Sequence, residues 1–144
     1  MHHYQDILVA TDGSDPAARA VDHACALADG IDDTVYVLSV ADTEARPMAF
    51  GAESTAAVEA AMERTVEEMR EHTGDVRGAI REGEPAEEIL AFAGETDADV
   101  VVLGRSGRSG LPADVIGSTA NRVVQRTTLP VVLIPPTAEA SGGE

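Results

Sequence analysis

The sequence predicts an α/β fold: one doubly wound, Rossmann-like parallel sheet of five strands in the order 3-2-1-4-5, with helices on both faces. Three observations carry this. Strand-like and helical segments alternate along the whole chain, the signature of a parallel sheet with crossover helices. Strands one, two, four and five are nearly continuous apolar runs, as strands covered on both faces must be. Strand three instead alternates apolar and charged residues, which makes it an edge, and right-handed crossovers then favour that order.

The first strand is Ile7-Leu-Val-Ala10, followed by Thr11-Asp-Gly-Ser-Asp-Pro16. Gly13 permits a sharp turn, Ser14 or Asp15 can cap a helix, and Pro16 suits its first turn. Ala17, Ala20, Val21, Ala24, Leu27 and Ala28 recur at helical spacing, and Gly30 ends the helix. Thr34 to Val40 is rich in β-branched residues and forms strand two. A loop from Asp42 to Gly51 leads to a long amphipathic helix marked by Val58, Met62, Val66 and Met69. Strand three places Val76, Gly78 and Ile80 opposite Arg77 and Arg81. Helix three starts at Glu84-Pro85 and turns Ile89, Leu90 and Ala93 inward. Asp99 to Leu103 is strand four, Val115 to Gln125 reads as helix four, and Pro130 to Ile134 is strand five. Residues 1–136 are therefore expected to form one domain, and residues 137–144 a short disordered tail.

At 144 residues the chain is long enough to bury a real core in that domain. Its formal net charge is −16, and all 10 basic residues are arginine. Such an excess argues against nucleic acid or an anionic membrane as partner, since both need a basic face. It also fits a protein kept soluble in a very salty cytoplasm, beside the plainer reading of an ordinary acidic cytosolic protein. On the first reading, thermal unfolding should shift upward between dilute buffer and molar potassium chloride, and equal midpoints in the two would reject it. No apolar run reaches membrane-spanning length, and the start carries no basic-then-apolar leader pattern, so a cytoplasmic location is expected. Without lysine there is no Schiff-base chemistry and no lysine-bearing phosphate loop. The lone Cys25 reads as a small buried hydrophobe.

Functional weight falls on Gly104 to Thr119, GRSGRSGLPADVIGST, a glycine-punctuated segment between strand four and helix four. Free backbone amides, the hydroxyls of Ser118 and Thr119 and a helix amino end converge there, which suits a polyphosphate. The topology agrees. In a sheet of order 3-2-1-4-5 the connections diverge between strands one and four, and ligands sit outside the carboxyl ends of the strands at such a switch point.

The chain resembles the universal stress protein family, in its UspA-like, ATP-binding subgroup. The resemblance rests on Gly104-x2-Gly107-x9-Gly117-Ser118 after strand four, on Asp12-Gly13-Ser14 after strand one, and on element order from Tyr4 to Pro135. It implies a pocket in which Gly104, Gly107, Gly117, Ser118 and Thr119 hold the phosphates and ribose. It further implies that Ala10, Thr11, Asp12 and Val40 line the adenine and ribose side. The expected ligand is ATP, or else AMP or ADP, with any Mg or Mn carried by the phosphates. Ser39 departs from the family pattern, since many members have histidine there. Arg105 and Arg108 occupy variable loop positions, where each either pairs with phosphate or is simply solvated. Asp12 either bonds the ribose and pocket amides or only shapes its turn.

Three functions compete. The first is an adenine-nucleotide-dependent stress or signalling module. The second is a slow ATPase or nucleotidyl-transfer enzyme using the same pocket, disfavoured because no triad and no paired acid and base stand in motif context. The third is a phosphoacceptor receiver domain, which would need an acidic cluster at strand one and a lysine near strand five. Four scattered histidines and one cysteine give no metal-ligand spacing. Strand five would be an exposed apolar edge in a monomer. A two-fold homodimer pairing Val131, Val132, Leu133 and Ile134 with their copies is therefore expected, and the resemblance implies the same.

Overall fold

The computed structural model describes residues 4–12, 15–28, 33–41, 52–105 and 116–135. In chain order these form β1 (Asp6–Ala10), α1 (Asp15–Leu27), β2 (Thr34–Ala41), α2 (Ala52–Arg70), β3 (Asp75–Glu82), α3 (Pro85–Thr96), β4 (Val100–Gly104), α4 (Ser118–Arg126) and β5 (Val131–Ile134). The sheet has five strands in the order β3-β2-β1-β4-β5, and every pairing is parallel. The expected architecture is therefore the observed one.

Alternation along each strand sorts the core into two layers. Ile7, Val9, Val35, Val37, Val100 and Val102 point to one face and pack with α1 residues Ala20, Val21 and Ala24 and α2 residues Met62, Val66 and Met69. Leu8, Leu38, Val101 and Leu103 point to the other and pack with Ile89, Phe92 and Ala93 of α3 and Ala120 and Val123 of α4. The weak strand-three pattern has a steric cause. A Cβ at Gly78 would lie 2.9 Å from both Met62 Sδ and Val66 Cγ2, so glycine is what lets α2 settle on this edge strand.

Helix four is shorter than its apolar pattern. It starts at Ser118, after Gly117 in extended conformation (φ −66°, ψ 160°). Ile116 lies ahead of the helix and is 44% exposed, and Val115 lies outside the described residues. Ala120 and Val123, three apart, fill the core, while the next position around the helix leaves Val124 44% exposed.

The amino end of α3 is tied to the middle of α4. Glu84 caps α3 by accepting hydrogen bonds from the amides of Glu87 (2.9 Å) and Ala86 (3.3 Å), and it also receives Arg122 Nη1 of α4 at 3.0 Å. Burial opposes ionisation of the Glu84 carboxyl, but the two amides and the guanidinium outweigh it and lower its pKa. The stability this contributes is complete above the unfolded pKa and is lost as pH falls through the lower folded value. Glu84→Ala is expected to cost about 1 kcal/mol at pH 7, the usual worth of a cap. The difference from wild type, followed by urea unfolding across pH 7 to 3, should shrink at the acid end. A constant difference would contradict this role.

Candidate functional site

The carboxyl ends of β1 and β4 lie side by side at the centre of the sheet, with Val9 paired to Val102. Beyond them the chain leaves in opposite senses, into α1 on one face and toward α4 on the other. The crevice between these departures is the switch point.

On the β1 side, Ala10 closes the strand half-buried against the α3 layer. The Thr11 amide donates to the Leu38 carbonyl at 2.8 Å, which continues the β1–β2 ladder by one residue and fixes how the turn departs. Asp12 follows, exposed. Val40 of β2 is half-buried against the same layer as Ala10. These four residues thus come from two adjacent strand ends. Gly13 and Ser14 lie outside the described residues.

On the β4 side, Gly104 ends the strand. A Cβ there would lie 3.0 Å from Pro16 Cβ, 3.1 Å from the Pro16 carbonyl carbon and 3.2 Å from the Ala17 nitrogen. The bare Cα is what allows the first turn of α1 to press against the end of β4. Arg105 comes next, with both main-chain groups engaged. Its amide donates to the Ile134 carbonyl of β5 at 2.8 Å, and its carbonyl accepts from the Gly117 amide at 2.8 Å. So residues 105 and 117 are joined directly, although the intervening Gly107 and Arg108 lie outside the described residues.

The amino end of α4 is the polar feature of the crevice. Gly117 is buried, supplies no side-chain cap and leaves the first-turn amides without the acceptor that Glu84 gives α3. Ser118, exposed, and Thr119, half-buried, are the first two residues of the helix. Arg105, whose carbonyl takes the Gly117 amide, has its Nε buried with no hydrogen-bond partner among the described residues. A buried N–H without an acceptor is costly, and an uncapped helix start is electropositive. Each leaves N–H donors of the kind an oxyanion accepts from. Among the described residues no cluster of three or more His, Cys, Asp or Glu side chains could hold a metal ion.

Sequence reasoning named the glycines and hydroxyls but not three further features of this region. Pro16 and Ala17 form the wall against Gly104. The Ile134 carbonyl anchors Arg105. Arg19 of α1 donates from Nη1 to the Pro135 carbonyl just beyond β5. The last two join a side chain or amide to a main-chain oxygen far along the chain, and no local pattern signals such bonds.

Comparison with known proteins gives a consistent result. A sequence profile described as the universal stress protein family matches residues 3–135. The chain is 34% identical over 142 residues to a universal stress protein of Methanocaldococcus jannaschii, covering 91% of this chain and 82% of that one. Its fold superposes on the universal stress protein UspA from Lactobacillus plantarum with a TM-score of 0.82, at 24% identity over 93% of this chain and 99% of that one. It superposes on the universal stress protein from Archaeoglobus fulgidus in complex with dAMP with a TM-score of 0.72, at 26% identity over 92% and 99% of the two chains.

Proposed function

From the premise that this chain belongs to the universal stress protein family, we propose that it binds an adenine nucleotide in the crevice between β1 and β4 and acts as a nucleotide-dependent stress-response module. One observation carries the reading: at the switch point of the sheet the Arg105 carbonyl takes the Gly117 amide just ahead of α4, whose start has no side-chain cap, and Arg105 Nε is buried with no partner among the described residues. The dAMP held by the Archaeoglobus fulgidus protein adds support for an adenine ligand.

In this reading the α4 amides, Ser118, Thr119 and Arg105 take the phosphates, with Gly104, Gly107, Gly117 and Arg108 shaping or lining that side. Ala10, Thr11, Asp12 and Val40 take the base and ribose. ATP is the ligand favoured, bringing any Mg or Mn with its phosphates. The protein is a homodimer through β5, where Val131, Val132 and Leu133 are half-buried on a strand that has a neighbour on one side within this chain.

Denaturing freshly purified protein and weighing the released small molecules should yield an adenine nucleotide, and calorimetry on the emptied protein should detect ATP or AMP binding. Absence of both signals rejects the reading. A monomeric mass at micromolar concentration in high salt would separately reject the dimer.

A further inference from the structure

We infer that Arg122 is a positioning residue of the crevice: by pairing with Glu84 it sets where the amino end of α4 stands, and through the helix it sets the affinity for phosphate. The inference rests on the nucleotide reading above and adds to it a residue outside the glycine segment.

Helix α4 is lightly anchored for an element that is to hold an anion. Only two of its nine residues, Ala120 and Val123, are buried, and its start has no side-chain cap. Among the described elements it lies most closely against α3, not against a strand. Ala120 and Val123 share a layer there with Ile89, Phe92 and Ala93. Such apolar contacts are non-directional. They fix how deeply α4 sits and specify poorly how far it slides or turns on α3.

The Glu84–Arg122 pair supplies that direction. Glu84 stands just ahead of α3, and its carboxylate accepts from the amides of Ala86 and Glu87. Arg122 Nη1 reaches the same carboxylate at 3.0 Å. The Glu84 side chain is 16% exposed and that of Arg122 is 52% exposed, so the carboxylate is the fixed post and the guanidinium the line tied to it. A pair this open to solvent adds little to folding stability. Its geometry is a different matter. Arg122 lies four residues after Ser118, one turn along the helix and on the same face. A slide that stretches the pair therefore carries Ser118 and Thr119 with it. Binding groups lose their fit when displaced by more than about 0.5 Å.

Charge and position predict opposite signs for one substitution. Glu84→Gln removes a negative charge from the neighbourhood of α4 and keeps a side-chain oxygen for the two α3 amides. On charge alone it would tighten ATP binding, whereas loss of the tie weakens it. Calorimetry on the folded full-length chain should find ATP and AMP bound about fivefold more weakly by both Glu84→Gln and Arg122→Ala, a size usual for residues coupled in one network. Adenosine, which has no phosphate, should bind both as it binds wild type. The double variant should be no weaker than either single one. Arg122→Lys should recover part of the loss, since its ammonium can still reach the carboxylate. Arg126→Ala, which removes the same charge from the last turn of α4, should bind ATP as wild type does. Without ligand, the Ser118 and Thr119 amide resonances should move in Glu84→Gln and Arg122→Ala and stay in place in Arg126→Ala. ATP binding that is unchanged in Arg122→Ala or tighter in Glu84→Gln, losses that multiply in the double variant, or an equal loss for adenosine would overturn the positioning role and leave the nucleotide reading standing. If wild type binds neither ATP nor AMP, the nucleotide reading fails and the positioning role falls with it.

Discussion

A Gly104→Val variant is expected to lose about 1–3 kcal/mol of folding stability, the usual range for overpacking, and most of its nucleotide affinity with it. The cause is room. Two of the three atoms a new Cβ would meet are main chain, the Pro16 carbonyl carbon at 3.1 Å and the Ala17 nitrogen at 3.2 Å, and neither can swing aside as a side-chain tip can. Valine adds two methyl groups to that crowding. Relief requires the first turn of α1 to retreat from β4, which carries the Thr11–Asp12 lip of the crevice away from Arg105 and Gly117. Urea unfolding measures the first loss and calorimetry with ATP the second. Gly94 is the internal control, because a Cβ there meets nothing within 4 Å. Gly94→Ala should be neutral or stabilise α3 by up to about 1 kcal/mol through helix propensity. A Gly104→Val protein as stable as wild type would show that α1 does not need its close seat on β4.

The fold was almost wholly legible in the sequence, because burial on two faces leaves a run such as Val100 to Leu103 no other use. The edge position of β3 was legible for the complementary reason that Arg77 and Arg81 interrupt it. Finer detail depended on contacts between distant residues. Helix four read three residues too early because Val115 and Ile116 continue an apolar pattern, while the extended Gly117 decides where the helix starts. Phe92 was not picked out on α3, yet it is buried edge-on to Tyr36, with rings 6.1 Å apart. Gly104 was singled out as a glycine of the phosphate loop, and what the structure requires of it is different in kind from the backbone freedom that glycine usually offers in a loop. Its φ is not positive, Gly83 being the positive-φ glycine among the described residues, and the need is for space against α1. Arg105 was picked for its charge, but its two main-chain bonds exist only once β5 and α4 are in place.

Leu38→Ala is expected to cost about 2–5 kcal/mol, toward the upper part of that range. Leu38 is fully buried in the middle of β2 and faces the α3 layer. Its register neighbours are Ala10 on β1 and Ala79 on β3, so the leucine fills volume that two alanines leave open. Truncation therefore places three small residues side by side, and the cavity cannot close without drawing α3 inward. The site should respond differently from Gly104→Val. What fixes the crevice at this point is the Leu38 carbonyl accepting the Thr11 amide, and that bond survives loss of the side chain. Folded Leu38→Ala protein, held at low temperature where the native state dominates, should bind ATP within about twofold of wild type, a difference under 0.5 kcal/mol. Thermal unfolding should meanwhile fall by about 2–4 °C for each kcal/mol lost. The exposed Val124→Ala should change stability by less than about 0.5 kcal/mol. Loss of affinity in folded Leu38→Ala, parallel to its loss of stability, would mean that the crevice is shaped by core packing beneath it. The main-chain bonds at Thr11, Arg105 and Gly117 would then be insufficient to define it.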